Sequence, residues 1–325
     1  DRPGLRAFYV GEGVKRAFLF QTLEVGVLVA TVPQLGISVL PRSRFAEKHG
    51  TEYLYVFHSM ASTHMIYEPD GFDHYDTVFC VGPYMIDEVR RREEIHGLPA
   101  KELVEHGYGR LDAILAERVA ATPTKPSGDA ARETVLVAPS WGPTCTFETV
   151  GVEFVAALLD AGFRVIARPH PMTDKKDPAA IERLVARFAD HADFELDQDI
   201  AATRALHESD VMVSDWSGAA LEYALGRERP VVFIDVERKV NNPEYAELGI
   251  EPFEVAVRDR IGAVVAADDP SGIVGAVRDA IDNADNWAER LRTVRDESIF
   301  NVGDSGRVAA AAIAAKTNAF LARVR

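Results

Sequence analysis

Cysteine is scarce in this chain of 325 residues: there are two, Cys80 and Cys145, both in apolar or turn contexts. Nothing there suggests a disulfide framework, and neither cysteine is paired at metal-ligand spacing with His58, His64 or His74, so a zinc site is a poor alternative. Such usage fits a reducing, cytosolic compartment. Positive charge is also short, with 36 Lys and Arg against 51 Asp and Glu and a net charge of −15. A general nucleic-acid binder carries a basic footprint, so that class is excluded, as is adhesion to anionic lipid by charge alone. Any phosphate site must be built locally. Long apolar runs are missing as well: the best candidate, 17–32, is broken by Gln21, Thr22, Glu24 and Gly26, short of the roughly 18 uninterrupted residues of a spanning helix. No signal peptide is visible. Because the chain opens at Asp1, a membrane anchor upstream stays open as an alternative. Finally, no Gly-x-Gly-x-x-Gly, P-loop or Gly-x-Ser-x-Gly turn occurs. Dinucleotide oxidoreductases, P-loop kinases and α/β-hydrolases therefore lack their defining turns.

What is present is alternation. Apolar strand patterns at 5–10, 25–31, 53–57, 77–81 and 103–106 are interleaved with helical patterns at 14–23 and 84–96. Thr, Pro, Lys, Ser and Gly crowd 121–132, which reads as a linker. The pattern then restarts, with strands at 134–138, 164–167, 194–196, 211–214, 230–235 and 264–265. Helices are expected at 147–161, 179–189, 200–208, 271–297 and 305–323. Two such blocks predict an α/β protein of two Rossmann-like domains facing a central cleft. The division is 1–125, 126–298 and a closing helical segment, 299–325.

The sharpest chemical signal is Ser214-Asp215-Trp216-Ser217-Gly218, a small-residue turn between a buried strand and a helix. A helix opening there presents unpaired amides and the positive end of its dipole, which favours an anion. The Ser214 and Ser217 hydroxyls join those donors, and Glu222 falls one turn on, facing the same crevice. The ligand expected is the nucleotide-diphosphate part of an activated donor. Upstream, Arg168-Pro169-His170-Pro171 closes a second apolar strand, where ligands of open α/β sheets bind. Arg168 suits phosphate oxygens, and His170 suits donation to a diphosphate leaving group. Lys175, Lys176 and Arg307 are further local sources of positive field. In the first block His58 ends an apolar strand ahead of Ser59, Ser62 and Thr63. An imidazole there is placed as general base on an acceptor hydroxyl, with Ser62 and Thr63 holding a phosphate or the acceptor. Purely structural readings stand beside these: Ser-Asp as an N-cap pair, His170 as a surface loop residue, His58 as a packed turn cap.

In order and spacing these segments, from about 53 to 310, resemble the CDP-glycerol glycerophosphotransferase family of teichoic-acid primases and polymerases. Val81-Gly82-Pro83 is similar to its S-P segment, and Gly107-Tyr108-Gly109-Arg110-Leu111-Asp112 to its G-Y-P-R-N-D. Ala138-Pro139-Ser140-Trp141 resembles A-P-T-W, Arg168-Pro169-His170-Pro171 resembles R-x-H-P, and Ser214-Asp215-Trp216-Ser217 resembles S-D-Y-S. Asp304-Ser305-Gly306-Arg307 matches the terminal region loosely. The resemblance implies a GT-B fold and metal-independent transfer of glycerol phosphate, or a related polyol phosphate, from a CDP-activated donor. The acceptor is a hydroxyl of a glycan or lipid-linked molecule in cell-surface polymer synthesis, at the inner face of the membrane with peripheral contact. It implies His58 and His170 as catalytic residues. Arg168, Ser140, Ser214, Asp215, Ser217, Gly218, Glu222 and Arg307 are implied on the donor, and Ser59, Ser62 and Thr63 on the acceptor. After His58 the family's glycine and lysine are replaced, which leaves the acceptor open. A sugar-nucleotide glycosyltransferase, a UDP-sugar epimerase or a nucleotide-sensing scaffold of the same fold are the alternatives.

Overall fold

Short apolar runs closed off by Gly, Pro and Ser become the strands of two all-parallel sheets in a computed structural model. It describes residues 6, 8–10, 14–36, 40–120, 132–199 and 203–324. The first sheet comprises β1 (Val27–Ala30), β2 (Glu52–Val56), β3 (Thr77–Cys80) and β4 (Glu102–Glu105), in the order β1-β2-β3-β4. The second comprises β5 (Thr134–Val137), β6 (Arg164–Ala167), β7 (Phe194–Leu196), β8 (Val211–Ser214), β9 (Val231–Asp235) and β10 (Gly262–Ala266). Its order is β10-β9-β8-β5-β6-β7, so the winding reverses between β5 and β8. Ligands of such sheets lodge outside the carboxyl ends at that reversal. This is a GT-B architecture of two Rossmann-like units.

The second sheet is buried on both faces, which is why its strands read as unbroken apolar runs. The two-residue period sorts them: Val135, Val137, Val165, Ala167, Val211 and Val213 pack on one side. Leu136, Ile166 and Met212 face the other, in a core continuous with Tyr55, Met60, Leu111 and Ile114 of the first half. The helix Gly109–Ala120 after β4 packs against the helical run Gly218–Arg227. A Cβ on Gly226 would come within 2.7 Å of Ile114 Cγ2, so glycine permits that approach. The last helix, Ser305–Val324, returns to the first sheet, where Lys316 Nζ lies 2.5 Å from both Glu52 and Glu102.

Most expected elements are found, with differences. The strand expected at 5–10 is absent from its described residues, and the linker 121–132 lies almost wholly outside the described residues. Helices Arg44–His49, Gly109–Ala120 and Pro171–Lys176 were not expected. The helix expected from Phe147 begins at Gly151, because Thr146 is drawn into a turn by Asp215.

Candidate active site

The crevice at the reversal is braced by one carboxylate. Asp215, just beyond β8 and 1% exposed, accepts the Ser140 N–H at 2.6 Å through Oδ1. Through Oδ2 it accepts the Thr146 N–H at 2.9 Å and its hydroxyl at 2.8 Å. It thereby ties the β5 and β8 loops together, and its oxygens are spent inside the protein. Ser214 is fully buried and donates its hydroxyl to the Ala138 carbonyl at 2.8 Å. Neither side chain faces a ligand as the sequence reading had them; both build the wall of the crevice. Ser217 is the N-cap of the following helix, its hydroxyl accepting from the Ala219 N–H at 3.3 Å.

Lys239, in the polar loop after β9, is a cation of this crevice that sequence reasoning missed. Its ammonium donates to Ser140 Oγ at 3.0 Å and to the Trp141 carbonyl at 2.8 Å, and lies 4.1 Å above the Trp141 ring. Only an apolar strand followed by a basic residue marked it, a weak signal. The Trp141 ring is 6.1 Å from that of His170, at the end of β6. His170 caps the helix Pro171–Lys176, with Nδ1 accepting the Met172 N–H at 3.1 Å. An acceptor Nδ1 leaves the proton on Nε2. Burial first, and then the Lys239 charge, hold the His170 pKa down at about 4. At neutral pH it is therefore an uncharged ring that offers an Nε2–H hydrogen bond. Arg168, on the same loop, is buried and reaches Asp197 Oδ2 through Nε at 3.1 Å and Nη2 at 2.6 Å.

On the facing side His58 is exposed just beyond β2, with Nδ1 3.1 Å from the Thr31 carbonyl. A carbonyl only accepts, so the uncharged ring carries its proton on Nδ1 and keeps the Nε2 lone pair available, the form a general base requires. Its backbone is tied across the cleft. The Tyr108 hydroxyl lies 2.9 Å from the His58 carbonyl and 2.8 Å from Glu222 Oε1, one proton shared between two acceptors. Burial, reinforced by the Glu222 charge, raises the Tyr108 phenol well above its ordinary value, so it stays protonated. Arg110 Nε reaches Glu222 Oε2 at 2.6 Å. Glu222, expected on a ligand hydroxyl, is instead the joint between the halves. A Cβ on Gly218 would approach Ser59 Oγ to 2.9 Å, so glycine lets the two turns meet.

The structure thus brings His58, Ser59, Ser217, Gly218 and Glu222 together, and gathers Ser140, Lys239, Trp141 and His170 along the second sheet's edge. Ser62 and Thr63, expected on the acceptor, are buried with both hydroxyls bound to Glu254 and Glu88. Arg307, expected on the donor, is exposed and paired with Asp304 at the start of the last helix.

A family profile described as CDP-Glycerol:Poly(glycerophosphate) glycerophosphotransferase matches residues 19–247. No curated protein matches the sequence significantly. Among solved structures, the wall teichoic acid polymerase TagF is similar with a TM-score of 0.53 and 12% identity, over 85% of this chain and 70% of that one. The UDP-GlcNAc 2-epimerase of Neisseria meningitidis gives 0.53 and 11%, over 88% and 74%. That of Methanocaldococcus jannaschii gives 0.52 and 13%, over 89% and 75%. At such identities these likenesses speak for the fold alone.

Proposed function

Because the chain belongs to the CDP-glycerol:poly(glycerophosphate) glycerophosphotransferase family, we propose that its cleft transfers glycerol phosphate from CDP-glycerol to a hydroxyl of a glycan acceptor. The diphosphate lies along the edge formed by Ser217, Gly218, His170 and Lys239, and the acceptor approaches from the His58 side. The acceptor oxygen attacks the phosphorus that bears glycerol. A new P–O bond forms, the P–O bond to CMP breaks, and the acceptor proton passes to His58 Nε2. His170 donates a hydrogen bond through Nε2–H, and the Lys239 ammonium offsets charge gathering on the departing CMP. The Lys239 ammonium does the neutralising, so the reading includes no metal, and a chelator is expected to leave the rate unchanged.

The observation that carries the reading is the Glu222 joint. It holds the His58 loop of one half against the Ser217-Gly218 turn of the other, with the His58 tautomer set for proton abstraction. The same reading divides the chain into an acceptor-side unit, 1–125, a donor-side unit, 126–298, and a returning segment, 299–325. Among the described residues no helix is long and apolar enough to cross a membrane. A lipid-linked acceptor would meet the first half at the bilayer surface, where exposed Phe8, Tyr9 and Phe18 supply apolar contact. The test is incubation with CDP-glycerol and a poly(glycerol phosphate) acceptor, following CMP release and new phosphodiester by 31P NMR. Turnover of UDP-sugars with none of CDP-glycerol would overturn the reading. With the family established, no observation favours the glycosyltransferase or epimerase alternatives.

A further inference from the structure

Two neighbouring residues of the loop that follows His58 are gripped by buried carboxylates from opposite halves of the molecule. Ser62 gives its backbone N–H to Glu254 Oε2 at 2.7 Å and its hydroxyl to Oε1 at 2.9 Å. Thr63 gives both its N–H, at 2.6 Å, and its hydroxyl, at 2.7 Å, to Glu88 Oε2. Glu88 belongs to the helix Pro83–His96 beside the first sheet, and Glu254 to the short helix Phe253–Ala256 beside the second. Both are buried, at 1% and 9% exposure. The next residue continues the pattern: His64 Nε2 donates to the Ile250 carbonyl at 3.1 Å, and its Nδ1 lies 3.4 Å from Glu88 Oε1. Asn242 then donates its side-chain amide to the His64 carbonyl at 2.8 Å.

Buried carboxylates are costly, and their usual relief is an arginine or lysine. Here the relief comes from backbone amides and hydroxyls of one loop. Burial raises the Glu254 carboxyl above its ordinary value, and the Ser62 donors pull it back. Apolar side chains would fill the same volume without that cost. What the carboxylates add is direction, because each fixes a peptide N–H and a side chain at once. The loop so fixed is the one that carries His58 and Ser59 to the Gly218 turn.

We propose that Glu254 and Glu88 are positioning residues, clamping the 62–63 peptide as the fixed point between the halves so that His58 is held in register with the bound donor. The inference rests on the transferase reading above. Its test uses Glu254→Gln, Ser62→Ala and Ser62→Thr in the full chain, measuring kcat for CMP release and the Kd of CDP-glycerol by calorimetry. Ser140, His170, Ser217 and Lys239 all lie in the second half, so Glu254→Gln is expected to lower kcat at least tenfold with Kd unchanged within twofold. Ser62→Ala falls between, and Ser62→Thr, which keeps both donors, restores the wild-type rate. A kcat within twofold of wild type for Glu254→Gln, or parallel loss of kcat and donor binding, overturns the clamp. Should Glu254→Gln fail to fold, Ser62→Ala with an unchanged kcat does so. If wild type releases no CMP, the transferase reading fails instead. The clamp is then judged by hydrogen exchange at residues 58–61: faster exchange in Ser62→Ala than in wild type supports it, and equal exchange overturns it.

Discussion

Replacing Lys239 with Met removes an ammonium while keeping most of the length of its apolar stem. The side chain is half-buried, so solvent screens its charge only in part. Contacts of this charge-assisted kind contribute about 1.5–3 kcal/mol. Taking about 2 kcal/mol for a partly exposed group, the Kd for CDP-glycerol rises roughly 30-fold. A second readout is independent of ligand. After burial, the Lys239 charge is the next contribution holding His170 at about 4, so its loss moves the His170 pKa upward. Burial is the larger cause and remains, so the rise stops short of the ordinary histidine value. Calorimetric titration with CDP-glycerol at pH 7 measures the first effect, and NMR titration of the His170 ring nitrogens the second. An unchanged Kd together with an unmoved His170 would refute the placement of the diphosphate beside Lys239.

His58→Ala is expected to slow CMP release at least about 100-fold, with CDP-glycerol still bound at wild-type affinity; retention of rate would remove His58 as base. Gly107 has φ +93°, and a Cβ there would fall 2.2 Å from the Phe300 carbonyl oxygen. Gly107→Ala should therefore destabilise by about 3 kcal/mol, read from urea midpoints, and a loss under about 0.5 kcal/mol would count against the packing. Burial pushes the Glu228 carboxyl up, but Arg118, Arg295 and Arg292 at 2.6–2.8 Å outweigh it and hold it at about 2. A depressed carboxylate contributes stability that is full above its unfolded value near 4.5 and is lost as pH falls through about 2. The contribution is about 3 kcal/mol; Glu228→Gln should flatten that part of the acid melting curve, and an unaltered curve would discount the cluster.

The sheet edges of this molecule were legible because parallel strands buried on both faces must be apolar, as in 135–137, 211–213 and 231–234. Pro and Gly then mark where each stops: Pro83 opens a helix and Gly97, with φ 61°, closes it. The same logic located His58, His170 and the Ser217 turn, since ligands collect where such strands end. What failed was side-chain direction. Ser214 and Asp215 stand in the right turn, but the pleat sends one hydroxyl into the core and the loop geometry spends the carboxylate on Ser140 and Thr146. Glu88 is one of many charged residues in the helix Pro83–His96, and Glu254 sits in a four-residue helix that no periodicity announces. Ser62 and Thr63 looked like ligand hydroxyls because their carboxylate partners lie 192 and 25 residues away. Long-range pairing of that kind leaves no mark on local pattern.

The path of the chain after residue 298 has a mechanical consequence. The Phe300 amide donates to the Val81 carbonyl at 2.9 Å, and Ser305 is held by Asp112. The chain therefore crosses back to the first half near 299–305, a second covalent connection besides the one that leads from Gly109–Ala120 to β5. A chain that joins two bodies at two places far apart in its sequence ties them as a closed loop, so the halves cannot part by yielding at one strand of polypeptide alone.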